Sequence, residues 1–174
     1  MVYDGRKIRP DDLFKSQPIR KYKTQISQTQ LSAANVTAVQ VVPAPGINYA
    51  IVPQRVVLHK PPPPTGGVAW TMPNGTKGQL QYGTTPGFDI ACFLLMDPNV
   101  IGIGVGYDST VDYSITYQAP TYSTGNYPGQ GIFDMVHGEN LPLLFFNQAG
   151  SITAPANSAP LNVYVEYVIT PVRF

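Results

Sequence analysis

The sequence predicts an all-β protein, and three observations carry that expectation. Eleven Tyr and seven Phe accompany many Val, Ile and Thr, residue types that suit a pleated, half-buried surface. Apolar residues do not repeat at helical spacing over any window of about 11 to 18 residues free of Pro or Gly. Short strand candidates instead recur at about the 8–12 residue spacing that marks sandwiches and barrels. The chain has 174 residues, enough for one domain with a substantial core and an additional arm.

The stretch from Val41 to Leu58 organises the chain. Two strand candidates, Val36 to Val42 and Tyr49 to His59, meet at a Pro43-Ala44-Pro45-Gly46 corner. The prolines fix φ there and Gly46 is free to take φ > 0. Gln25 to Leu31 reads as a strand before them. After them come Val68 to Met72, Gln79 to Tyr82, Asp89 to Leu95, Val100 to Val105, Val111 to Tyr117 and Leu141 to Phe146. Leu161 to Thr170 is the cleanest: Leu161, Val163, Val165, Tyr167 and Ile169 alternate with Asn162, Tyr164, Glu166, Val168 and Thr170. That period of two predicts one face on the core. Pro61 to Pro64 read as a stiff, extended connection, and Met72-Pro73-Asn74-Gly75 as a turn. The Tyr-, Gly- and Ser-rich segment from Gln118 to His137 is too long for a simple hairpin loop.

Residues 1–23 differ from the rest. Arg6, Lys7, Arg9, Lys15, Arg20, Lys21 and Lys23 stand against Asp4, Asp11 and Asp12, a net of +4, whereas the whole chain carries +1. Pro10 and Pro18 discourage a continuous helix. The expected division is an extended basic and apolar arm over 1–23 and a β-domain over 24–174. Tyr3, Ile8, Leu13, Phe14, Ile19 and Tyr22 give the arm anchors for a neighbouring surface. Candidate partner contacts are therefore Arg6, Lys7, Arg9, Leu13, Phe14, Arg20, Lys21, Tyr22 and Lys23, with Tyr122 and Tyr127 from the Tyr-rich loop. Because acidic residues interleave with the basic ones, a protein surface rather than nucleic acid is the expected target.

Sites for chemistry are weak. Gly102-Ile103-Gly104-Val105-Gly106 lacks the spacing and the following helix of a phosphate loop. His59 and His137 have no partner at metal-ligand spacing, and an Asp134, His137 and Glu139 cluster falls in a loop. Asp108 and Asp112 read as a turn rather than a calcium site. No serine is singled out as a nucleophile beside these histidines. The expectation is no enzyme, no catalytic residues, no metal and no cofactor. Trp70 with Tyr82, Tyr107, Tyr117, Tyr122 and Tyr127 offers an aromatic sugar or nucleobase platform, and a carbohydrate-binding β-sandwich is the reading of another class. Cys92 reads as a buried small apolar residue. The first residues lack the apolar region of a signal peptide, and Ile90 to Met96 is too short to span a bilayer. No membrane partner is expected, and synthesis in a cytoplasm is.

Ser27-Gln28-Thr29-Gln30-Leu31 leads into Val41-Val42-Pro43-Ala44-Pro45-Gly46 and Ala50-Ile51-Val52. Glu139-Asn140-Leu141-Pro142-Leu143-Leu144 precedes Ala149-Gly150 and the strand Leu161 to Tyr167. This pattern resembles small virion structural proteins of tailed bacteriophages. The resemblance implies a jelly roll or related β-sandwich, extended here by the N-terminal arm. It also implies a homotrimeric cement or decoration protein on the capsid surface, bound to the major capsid protein. A tail or baseplate component, and a jelly-roll protein that forms the shell itself, are the neighbouring alternatives.

Overall fold

The computed structural model describes residues 18–68, 70–71, 77–83, 91–96, 113–118, 138–148 and 150–172. These residues form strands β1 (Arg20–Ile26), β2 (Val39–Val42), β3 (Tyr49–Lys60), β4 (Lys77–Tyr82), β5 (Ala91–Met96), β6 (Tyr113–Gln118), β7 (Leu143–Gln148) and β8 (Leu161–Pro171). One short helix, α1 (Gln28–Ala33), joins β1 to β2. The protein is all-β. Its strands form two four-stranded sheets in the orders β1-β8-β3-β6 and β2-β7-β4-β5, every pair antiparallel.

The two sheets share one core. In β8, Leu161, Val163, Val165 and Tyr167 are buried, and the register sets Leu58 opposite Val163 and Val56 opposite Val165. Val41, Leu80, Leu143 and Phe145 of the second sheet belong to the same apolar cluster. Two hydrogen bonds also cross between the sheets. Thr24 Oγ1 donates to the Val41 carbonyl (2.8 Å), and the Tyr82 hydroxyl donates to the Ile51 carbonyl.

Several elements depart from the sequence expectation. The extended arm was expected to run to residue 23, but Arg20, Lys21, Tyr22 and Lys23 lie in β1 and pair with Tyr167, Glu166, Val165 and Tyr164. Lysines on an edge strand guard it against unwanted pairing, so the charge here marks a sheet edge and not a tail. The strand expected over Gln25 to Leu31 ends at Ile26. Ser27 then caps α1, its hydroxyl accepting from the Gln30 N–H while the Gln30 side chain accepts from the Ser27 N–H. This reciprocal capping box satisfies two N–H groups that a helix start otherwise leaves open. The strand expected over Val36 to Val42 shortens to Val39–Val42, and Val36 is exposed. Val68 to Met72 contributes only the single bridge from Thr71 to Thr153.

The expected alternation of β8 holds on its core face, but its other face is not uniformly solvated: Asn162, Val168 and Thr170 are also buried. β7 is buried on both faces, from Leu143 to Asn147. Its unbroken Leu-Leu-Phe-Phe run is the sequence form that such a strand takes. The other end of α1 is finished by β7: Asn147 donates its backbone N–H to the Ala34 carbonyl (3.0 Å) and its Nδ2 to the Leu31 carbonyl (3.1 Å). Beyond Pro61 to Pro64, a Cβ at Gly67 would meet the Asn157 carbonyl oxygen at 2.5 Å, so only glycine fits.

The strand expected over Val100 to Val105, the Met72 to Gly75 turn and most of the Tyr-rich segment lie outside the described residues, as does the Cys92 side chain.

Replacing Phe145, which is fully buried, by Ala is expected to cost about 3–5 kcal/mol, whereas Tyr82→Phe costs about 1 kcal/mol. Urea unfolding of the two variants checks both the order and the size.

Candidate functional site

Two surfaces of the fold present organised groups. The first is the corner between β2 and β3. Gly46 has φ 107° there and Asn48 has φ 69°, the left-handed conformations that Gly and Asn tolerate best. The corner is clamped by the segment just before β7. The Gly46 N–H donates to Asn140 Oδ1 (3.1 Å), and the Asn48 N–H donates to Glu139 Oε1 (3.0 Å). In return the Asn140 N–H donates to the Tyr49 carbonyl (2.8 Å), and the Val172 N–H donates to that of Asn48 (3.0 Å). Held in this way, the corner exposes two apolar side chains, Ile47 at 72% and Tyr49 at 45%.

The second surface is the outer face of the β1-β8-β3-β6 sheet. Because Val163 and Val165 point to the core, Tyr164 and Glu166 point away from it. Antiparallel register then places Lys21 and Arg55 on either side of Glu166, and Lys23 and Val57 on either side of Tyr164. Glu166 Oε1 lies 3.2 Å from Lys21 Nζ and 3.8 Å from Arg55 Nη1. Lys23 Nζ sits 5.2 Å from the centre of the Tyr164 ring. One row further on, Gln25 Nε2 donates to Asn162 Oδ1 (3.2 Å), and Asn162 Nδ2 donates to His59 Nδ1 (3.3 Å). A shallow groove of about 450 Å³ runs over this face between β1 and β3.

Of the residues expected to contact a partner, Arg20, Lys21, Tyr22 and Lys23 are brought together on β1, all exposed. Tyr22 faces the core side at the sheet edge, opposite Val165, so it does not share the outer face with Lys21 and Lys23. Arg6, Lys7, Arg9, Leu13, Phe14, Tyr122 and Tyr127 lie outside the described residues. So do Asp108, Asp112, Asp134 and His137 and the Gly102 to Gly106 run. Arg55, Tyr164 and Glu166 were not singled out by sequence reasoning. The alternation in β8 already separates Tyr164 and Glu166 from the core face, but only the long-range register brings Arg55 to them.

The aromatic platform dissolves at its centre. Trp70 is 3% exposed and its indole N–H donates to the Ala159 carbonyl (2.8 Å), while Lys60 Nζ lies 5.9 Å from its ring. Tyr82 is likewise in the core. Neither ring is open to a sugar. No group of His, Cys, Asp and Glu suited to a metal ion occurs among the described residues. No protein-family model matches the chain, and no curated protein matches it.

Asn140 has φ 53°, so Asn140→Ala both strains the backbone and removes the acceptor for Gly46. The expected loss is about 1–2 kcal/mol. Limited proteolysis should show faster cleavage between Pro43 and Tyr49 in this variant than in the parent.

Proposed function

We propose that this chain is a non-enzymatic virion structural protein built on a jelly roll, acting as a homotrimeric cement or decoration protein on the major capsid shell of a tailed phage. The strand order carries the reading. Two Greek keys folded over one another pair the first strand with the eighth, the eighth with the third and the third with the sixth, leaving the second, seventh, fourth and fifth for the opposite sheet. The orders β1-β8-β3-β6 and β2-β7-β4-β5 support that topology. Viral capsid domains, lectins and cupins share it, and the buried Trp70 weighs against the lectin use.

Residues 1–17, the arm ahead of β1, reach to the neighbouring capsid subunit in this reading. The exposed corner at Ile47 and Tyr49 supplies apolar contact area between copies of the chain. The charge content of only 12% fits a surface largely covered by other subunits. A second reading, a jelly-roll subunit that itself forms the shell, is favoured by the basic sheet face carrying Lys21, Lys23 and Arg55, which suits the side facing a genome.

Light scattering of the purified protein is expected to give the mass of a trimer, and the protein should rebind expanded capsids stripped of it. Binding to tail assemblies instead would overturn the reading. Self-assembly into closed shells would favour the second one. Removing residues 1–17 should abolish capsid binding and leave the melting temperature unchanged. Removing residues 1–23 cuts into β1 and should lower the melting temperature as well.

A further inference from the structure

We propose that the outer face of the β1-β8-β3-β6 sheet is a binding site for single-stranded nucleic acid, with Lys21, Lys23 and Arg55 contacting phosphates and Tyr164 offering a stacking surface. The acidic residues Asp4, Asp11 and Asp12 dilute the basic arm in sequence, which argues for a protein target when the chain is read linearly. Lys21 and Lys23 enter β1, and pairing through β8 adds Arg55 from β3, a residue remote in sequence. Among the described residues this outer face then holds three cations and one carboxylate, Glu166. The surplus is positive.

The three cations are spread over strands β1 and β3, so a polymer of phosphates can reach all of them. Lys21 and Lys23 are two residues apart on one strand, a separation of about 7 Å, and Arg55 lies two strands away, about 10 Å across the sheet. A chain of phosphates laid across the strands can meet the cations in succession. Tyr164 stands in the row beside them, half-buried, with Lys23 already over its ring. Basic groups that track a backbone, combined with an aromatic ring that any base can stack on, form the general pattern of sequence-tolerant single-strand binding.

The same face is poorly suited to the centre of a protein interface. Such centres are depleted in Lys and Glu and built on desolvated apolar or aromatic anchors. Here charged residues occupy the middle of the face, and Val57 is the apolar residue between them. This inference does not depend on the virion reading, since it concerns one face of the isolated protein.

Fluorescence anisotropy of the full chain with a labelled oligo-dT of about 20 nucleotides tests it. Binding should appear at low salt, with a slope of log K against log salt of about −2 for three phosphate contacts. Lys21→Gln, Lys23→Gln and Arg55→Gln combined should weaken binding at least about tenfold and flatten the slope. Tyr164→Ala should weaken it about fivefold or more, with Tyr164→Phe close to the parent. A control carrying Arg6→Gln, Lys7→Gln and Arg9→Gln should bind as the parent does. On the unmodified protein, the oligonucleotide should protect Lys21 and Lys23 from acetylation, read by mass spectrometry, which keeps the test decisive if the triple variant fails to fold. No binding by the parent at about 50 mM salt, loss of binding in the arm control alone, or unprotected Lys21 and Lys23 would each overturn the proposal. So would a poly-glutamate peptide that binds this face while the oligonucleotide does not.

Discussion

The chain rarely stays in one sheet for two strands in a row. β1, β3, β6 and β8 lie in one layer and β2, β4, β5 and β7 in the other, so among the described strands β4 to β5 is the one consecutive step that keeps to a single sheet. Neither layer can therefore be assembled without the other. The apolar side chains between them form a common core, and burial of that core is what makes the long-range pairing favourable against the entropy of closing so many loops. Everything presented on the surface depends on this shared burial. The register that sets Arg55 beside Glu166 exists because Val56 and Val165 are both held in the core.

Polar groups secure the connections that cross between layers. Asn147 uses both its backbone and its side chain to satisfy carbonyls at the end of α1, so the second strand layer terminates the helix that follows β1. At the β2–β3 corner, Glu139 and Asn140 do for a loop what a ladder does for a strand, giving its N–H groups acceptors. A short helix and a proline-rich corner have little stability of their own. Here each borrows it from a segment more than ninety residues away.

Much of the fold was legible in the sequence, because period-two alternation and turn residues are local signals. β3 and β8 follow their expected strands almost residue for residue, and Gly46 adopts the positive φ that the corner requires. The helix was missed although Ser27 and Gln30 spell its capping box; the flanking strand residues masked a feature only two turns long. The boundary of the arm was misplaced because exposed lysines look the same in a tail and on an edge strand, and only the β8 partner distinguishes them. The candidate site was half legible for the same reason. Lys21 and Lys23 were visible as charge, whereas Arg55, Tyr164 and Glu166 became part of one face through pairings that no local pattern encodes.

Pairing β1 with β8 also imposes an order in time. Among the described strands β1 comes first in sequence and pairs with β8 alone, and β8 is translated last. Elongation from Arg20 to Leu161, at about 5–20 residues per second, takes on the order of ten to thirty seconds. Throughout that interval Lys21 and Lys23 have no sheet to belong to, and Arg55 has no Glu166 beside it. The charged face comes into being only once β8 has been made. A product truncated before β8 would carry the cations but not their arrangement.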